Sequence, residues 1–346
     1  MAIGSALACA GCPSSSHESG GDAGAGDVDA PAAWQAVIEH LDGALLSVWG
    51  SGPNDVWAVG GPRGTTPFTS IVLHFDGTSW KRLASGGPET FWWVHGTGPN
   101  DVWFVGERGR TTHWDGAALT ERASGTTATL FGVWAASPSD AWAVGGTPAG
   151  MGLDGGVGET DVLLHWDGSA WSPSPLPQKL GRTHFKVWGS SADDVFVVGE
   201  ASTIWHRSGG AWTLAPQIAH GTLLTVNGCS ATEVYAVGGR DVLRYDGKAW
   251  SPLAVTLTND GNGVACGPSG SVVVVGFGGL KQRLVDGAWQ DDFGIPPNID
   301  LHGAWSDGKG TFWATGGDFI SNPTPNLRRN GTVARYGKGS VSGVVQ

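Results

Sequence analysis

Short runs of β-branched and aromatic residues recur along the chain from about Ala33 to the C-terminus, each bounded by clusters of Gly, Pro, Asn and Asp. Text such as VWAVG and VVVVG suits a pleated strand and lacks the three-and-four spacing of an amphipathic helix. The runs are copies of one unit. It reads VWGSGPNDVWAVG then IVLHFDGTSW, and returns as VHGTGPNDVWFVG with THWDGAAL and as VWAASPSDAWAVG with LLHWDGSAW. Further copies are VWGSSADDVFVVG with IWHRSGGAW, VNGCSATEVYAVG with LRYDGKAW, and the weaker pairs VACGPSGSVVVVG with LVDGAW and AWSDGKGTFWATG with VARYG. The copies begin at Val48, Val94, Val133, Val187, Val226, Val264 and Ala304, with successive gaps of 46, 39, 54, 39, 38 and 40.

A period of about 40 residues holding several short strands is the length of one propeller blade and too long for a leucine-rich or hexapeptide turn. The predicted fold is therefore all-β: a seven-bladed β-propeller of four-stranded antiparallel blades spanning residues 33–346. Strand a is the LxxVWG segment, b is DVWAVG, c ends in Asp-Gly, and d begins at the following Trp. Between a and b, Ser-Gly-Pro-Asn-Asp supplies turn chemistry. Between c and d, the Asp-Gly pairs at Asp76, Asp115, Asp167, Asp246 and Asp286 supply a residue that accepts positive φ.

The 19 Trp residues follow the template. Trp49, Trp134, Trp188 and Trp305 share a place in strand a, and Trp57, Trp103, Trp142 and Trp313 share one in strand b. Trp114 and Trp166 share one in strand c, and Trp34, Trp80, Trp171, Trp212, Trp250 and Trp289 share the start of strand d. Such repetition predicts large flat side chains packed between sheets. Trp34 lies 14 residues before Val48, the interval that also separates Trp80 from Val94. It reads as a strand d without strands a to c before it, placed on the outer edge of blade seven, with the tail KGSVSGVV as the competing candidate for that edge.

Composition narrows the partners. With 58 Gly, 19 Pro, 15% charged residues and a net charge of −11, the chain has neither helix-rich composition nor the clustered cations that nucleic acid or anionic lipid would need. Residues 1–12 resemble the end of a bacterial lipoprotein signal, with Ala10-Gly11-Cys12 the best match and Cys12 the expected lipid attachment site, although the charged start of such a signal is missing. Residues 13–32 are Gly, Ser and Asp-rich and read as a disordered linker. The alternative is a disordered tail with two thiols.

The VWAVG-like strand, the strand ending in Asp-Gly, and the Trp four residues after that Asp resemble the BNR or Asp-box propellers, including the photosystem II assembly and stability factor type, and the resemblance extends over all seven copies. HFDGTSW and HWDGSAW are one residue shorter than the usual box and lack its leading Ser. The resemblance implies that Asp76, Asp115, Asp167 and Asp246 cap their own turns, whereas Ser208 departs from the pattern. Some members are sialidases, which use three Arg and a Tyr–Glu pair. Here Tyr235, Tyr245 and Tyr336 each occupy an ordinary strand position, so that activity is not expected.

His74, His113, His165 and His206 share one slot of strand c, and residues spread around a ring do not converge on a metal. No cofactor or metal is expected. Cys229 and Cys266, near the ends of strand a in adjacent blades, are candidates for a disulfide, or else two buried thiols. Ligand contacts are expected on the face made by the b–c and d–a connections, where the longest loops carry Arg63, Asp154, Glu159, Asp318, Arg328 and Arg329. Trp92 and Trp93 break the template and are expected to be exposed near that face. The resulting expectation is a non-enzymatic monomeric scaffold for a protein partner, lipid-tethered in the bacterial envelope or secreted. The alternatives are a lectin-like binder of surface polysaccharide and a hydrolase or lyase of unrecognised type.

Overall fold

The computed structural model describes residues 31–61, 70–148, 158–318 and 330–346. Seven four-stranded sheets make up the structure, each with its strands in antiparallel order from the axis outwards. In blade one, strands a to d are Ala44–Gly52, Asp55–Gly61, Ile71–Phe75 and Trp80–Arg82. Among the described residues no helix is long and apolar enough to cross a membrane.

Blade seven consists of Leu301–Ser306, Phe312–Gly316 and Gly331–Gly337, and its outer strand is Ala33–Leu41 from the other end of the chain, with Trp34 opposite Tyr336. The KGSVSGVV tail goes elsewhere. It passes blade seven and lies parallel to the outer strand of blade one, where Trp80 N donates to Val344 O at 3.2 Å and Gln346 N to Trp80 O at 2.8 Å. The edge that strand d of blade one leaves open is thereby covered.

Twelve of the 19 indoles are buried, the other seven are half-buried and none is exposed, so packing accounts for them. In blades one to four and seven the strand-b aromatic meets aromatics from strand c, strand d or both of the next blade. Trp103 lies 4.9 Å from Trp166 and 5.1 Å from Trp171, Trp142 lies 5.4 Å from Trp212, and Trp313 lies 5.8 Å from Trp80 across the closing seam. Edge-to-face geometry at these distances is the favourable arrangement for paired rings.

The strand-a Trp follows a second rule. A Cβ placed on Gly50 would sit 2.8 Å from the Trp305 ring, one on Gly96 2.8 Å from Trp49, and one on Gly189 2.7 Å from Trp134, and Gly228 likewise faces Trp188. Each indole lies over a glycine of the following blade. Where the preceding blade carries His95, Asn227 or Ala265 in place of Trp, the same position holds Ala135, Cys266 or Ser306. The Trp-Gly dipeptide is thus two halves of two different contacts.

Asp76, Asp115, Asp167 and Asp246 cap their c–d turns. Asp115 Oδ1 accepts from the backbone N–H of Ala117 and of Ala118, both at 2.9 Å, with Gly116 at φ 93°. The hydroxyl of Ser169, with the Ala170 and Ser169 amides, holds the Asp167 carboxyl down at about 2. Cys229 and Cys266 are joined by a disulfide with a Cα–Cα separation of 5.1 Å, linking the inner strands of blades five and six.

Candidate functional site

The inner strand of six blades carries a β-bulge at the same place, two residues before the template Val or Ala. Register shifts fall at Leu46, Trp92, Phe131, Phe185, Asn262 and His302. A bulge inserts one unpaired residue and re-aims its side chain. These six therefore gather where strands a begin, the end of the channel that also carries the d–a and b–c connections.

The ring they form is two-sided. Leu46 packs on Trp92, the Trp92 and Phe131 rings meet edge to face at 4.7 Å, and Phe131 lies 5.1 Å from Phe185, giving an apolar arc over blades one to four. Across the axis, Asn262 Nδ2 lies 2.9 Å from His302 Nδ1, and His302 Nε2 lies 2.9 Å from Gly317 O. Burial keeps His302 below the ordinary imidazole range, so Nδ1 accepts from Asn262 and Nε2–H donates to the carbonyl.

The next residue of each inner strand is small in five blades: Ser47, Gly132, Thr225, Gly263 and Gly303. The other two are Trp93 and Lys186. Lys186 is 8% exposed; its Nζ donates to Phe131 O at 2.8 Å and stands 4.2 Å above the Trp93 ring. To reach from blade four to blade two it passes Gly132, which has no side chain in its way. Burial lowers the ammonium to about 7, and no carboxylate opposes that shift.

The residues expected from the sequence are only partly here. Trp92 and Trp93 are at the channel mouth but half-buried, so the exposed platform expected of them is not formed: Phe131 takes one ring edge-on and Lys186 covers a face of the other. Glu159 holds the d–a connection of its own blade, accepting from Thr126 Oγ1 at 2.7 Å and Thr127 Oγ1 at 3.1 Å. Asp318 accepts from Asn330 Nδ2 at 3.1 Å. Arg63, Asp154, Arg328, Arg329 and Cys12 lie outside the described residues. Lys186, Asn262 and His302 were missed, although the two columns before the template Val, read down the seven copies, single them out.

The histidines of strand c work inside their own blades. His74, His113 and His206 Nε2 each lie 2.6 Å from Asp55, Asp101 and Asp194, and His165 lies 3.0 Å from Asp140. Each imidazole also packs against the strand-b ring beside it, stacked for His74 on Trp57 and His206 on Phe196, both at 4.0 Å, and tilted for His113 and His165. Burial works against the Asp55 and Asp101 carboxylates, but hydrogen bonds from the His and from Ser51 or Thr97 outweigh it and lower both. Blade five substitutes Glu233 and Arg244 in the same slots, with Tyr235 Oη donating to Glu233 at 2.9 Å. That Tyr–Glu pair belongs to the repeat, and burial raises the phenol to about 12. Among the described residues no group of three metal-ligating side chains occurs.

This architecture defines a seven-bladed β-propeller closed by a strand from the opposite chain end. A solved structure of YCF48 bound to D1 peptide matches with a TM-score of 0.62 at 15% identity, covering 88% of this chain and 96% of that one. Virginiamycin B lyase from Staphylococcus aureus matches at 0.67 and 11%, covering 88% and 99%, and the WD40 propeller domain of Doa1 at 0.62 and 10%, covering 89% and 97%. At these identities the likeness is one of fold. No protein-family model and no curated protein matches the chain.

Proposed function

We propose that this propeller is a non-enzymatic, monomeric binding scaffold that engages a polypeptide at the channel mouth, on the face of the d–a and b–c connections. The observation that carries this reading is the coincidence of six bulges, which place a mixed apolar and polar ring at one end of the axis while the opposite end repeats the same His–Asp contacts. A bulge repeated at one level of a barrel or ring is a device for presenting side chains. The solved structure of YCF48 bound to D1 peptide supports the same use of the fold.

The scaffold is tethered to a bacterial envelope through Cys12 in this proposal. The Ala10-Gly11-Cys12 run supports it, as does the Cys229–Cys266 disulfide, since such bonds persist in oxidising compartments. The Asp-capped turns support a kinship with the Asp-box propellers. The test is capture of a partner by the purified propeller with substitutions on each face. Trp92→Ala and Asn262→Ala should lose the partner while Asp115→Ala, at the other end, retains it; equal capture by all three refutes the assignment of the face.

A further inference from the structure

Two lysines are buried in this protein, and they are treated differently. Lys281 is fully buried, but its Nζ donates to Gly279 O at 2.7 Å and Pro297 O at 2.9 Å, and Asp292 opposes its loss of charge. It is a satisfied structural group. Lys186 has three donors and one carbonyl acceptor, Phe131 O, and among the described residues it has no ion pair. Burying an ammonium so incompletely partnered is unfavourable, so the group either sheds its proton or takes an anion into the remaining positions.

Where the group points says what that is. Nζ lies over the π face of Trp93, beside the glycine at 132 that leaves the inner wall bare, and His302 across the channel feels its charge. We infer that the channel mouth is a carboxylate-binding pocket, in which Lys186 supplies the charge, Asn262 and His302 flank it, and the carboxylate is that of a polypeptide ligand, either an acidic side chain or a chain terminus. The inference rests on the binding face proposed above and names its chemistry. A polypeptide suits the pocket better than a uronic acid sugar. Phe131 is 1% exposed and Phe185 8%, and Lys186 covers one face of Trp93, so the arc offers little flat aromatic surface for a sugar ring to stack on, whereas one cation beside apolar side chains suits a carboxylate next to an apolar side chain.

Binding should draw a proton. The free amine, pulled to about 7 by burial, is largely neutral at pH 7.5, and a carboxylate beside it restores the ammonium. The other titratable groups near it are His184 on its own strand, His95 on the blade-two strand and His302 opposite, all three held low by burial and therefore neutral at that pH. Strand a of blade three has none, and that of blade five has only the disulfide-bonded Cys229.

The experiment is titration calorimetry of the full propeller at pH 7.5 in two buffers of different ionisation enthalpy, with four probes. They are acetyl-Gly-Gly-Leu with a free terminus, acetyl-Gly-Glu-Leu-amide, the Gln counterpart of that amide, and a galacturonate trimer. One of the two carboxylate peptides should bind at least tenfold more tightly than the Gln amide and take up roughly half a proton or more. Which of the two wins distinguishes the terminus from the side chain. Lys186→Met should fold, abolish both the preference and the proton uptake, and leave the thermal midpoint undiminished. Equal binding of carboxylate and amide peptides, binding of none, preference for the galacturonate, or a preference that survives Lys186→Met each overturns the inference. If Lys186→Met still captures a polypeptide partner at the channel mouth, the carboxylate pocket fails and the binding face stands. If the peptides discriminate but no polypeptide partner depends on Trp92, the converse holds.

Discussion

The Trp-over-Gly contact between blades can be tested by adding one carbon. In Gly189→Ala the new Cβ would stand 2.7 Å from Trp134 Cη2 and 2.8 Å from Asp194 O, both inside van der Waals contact. Trp134 is 6% exposed and wedged in the inner core, so the ring cannot swing into solvent. Overpacking of this kind costs about 1–3 kcal/mol, against a gain of about 0.4–1 kcal/mol from the stiffer unfolded chain. The expected net loss is roughly 1–2 kcal/mol. The protein contains its own control, since Ala135 follows a blade whose corresponding residue is His95, with Ala135 N donating to His95 Nδ1 at 3.1 Å. Accordingly Trp134→His should lower stability by itself but reduce the cost of the further Gly189→Ala change, leaving only the approach to Asp194 O at 2.8 Å, a coupling of at least about 1 kcal/mol. Urea unfolding followed by indole fluorescence and far-ultraviolet circular dichroism would give the four midpoints of the cycle. If Gly189→Ala costs the same with Trp134 as with His there, the glycine is needed for the backbone of its own blade and the inter-blade explanation is wrong.

Four other outcomes are expected. Trp142→Ala, which empties a site bounded by Trp212 at 5.4 Å and His165 at 4.3 Å, should cost about 3–5 kcal/mol in the same denaturation assay. The pKa of Asp101 is lower folded than unfolded, so its contribution is complete above about pH 4 and disappears as pH falls through the folded value; Asp101→Asn should flatten the acid limb of a stability–pH curve. Reducing the Cys229–Cys266 bridge, whose partners are 37 residues apart, should lower stability by roughly 4 kcal/mol if the constraint on the unfolded chain dominates, and unchanged urea midpoints in a Cys229→Ser/Cys266→Ser variant would contradict that. Deleting residues 340–346 removes the three backbone bonds to Trp80 and Arg82, which should cost about 1–3 kcal/mol and promote self-association detectable by sedimentation as the blade-one edge opens.

The sequence alone determined the number of blades, the four strands in each, the capped Asp-Gly turns and the inward packing of the indoles. Those properties are local and repeated seven times, so period and turn chemistry expose them. It also indicated that Trp34 closes blade seven, because one strand's spacing to the next copy survives without its companions. Only the tertiary structure decided the destination of the tail, since pairing of Val344–Gln346 with Trp80–Arg82 joins residues with no pattern linking them. The same holds for the channel mouth. A bulge shifts a strand by one residue and turns its side chain toward the axis, which strict alternation does not foretell, and Lys186 meets Trp93 only because ring closure brings blade four within reach of blade two. The Trp-Gly motif lies between the two: its spelling is in the chain, but its reason is a contact between neighbouring blades that exists only once the ring is closed.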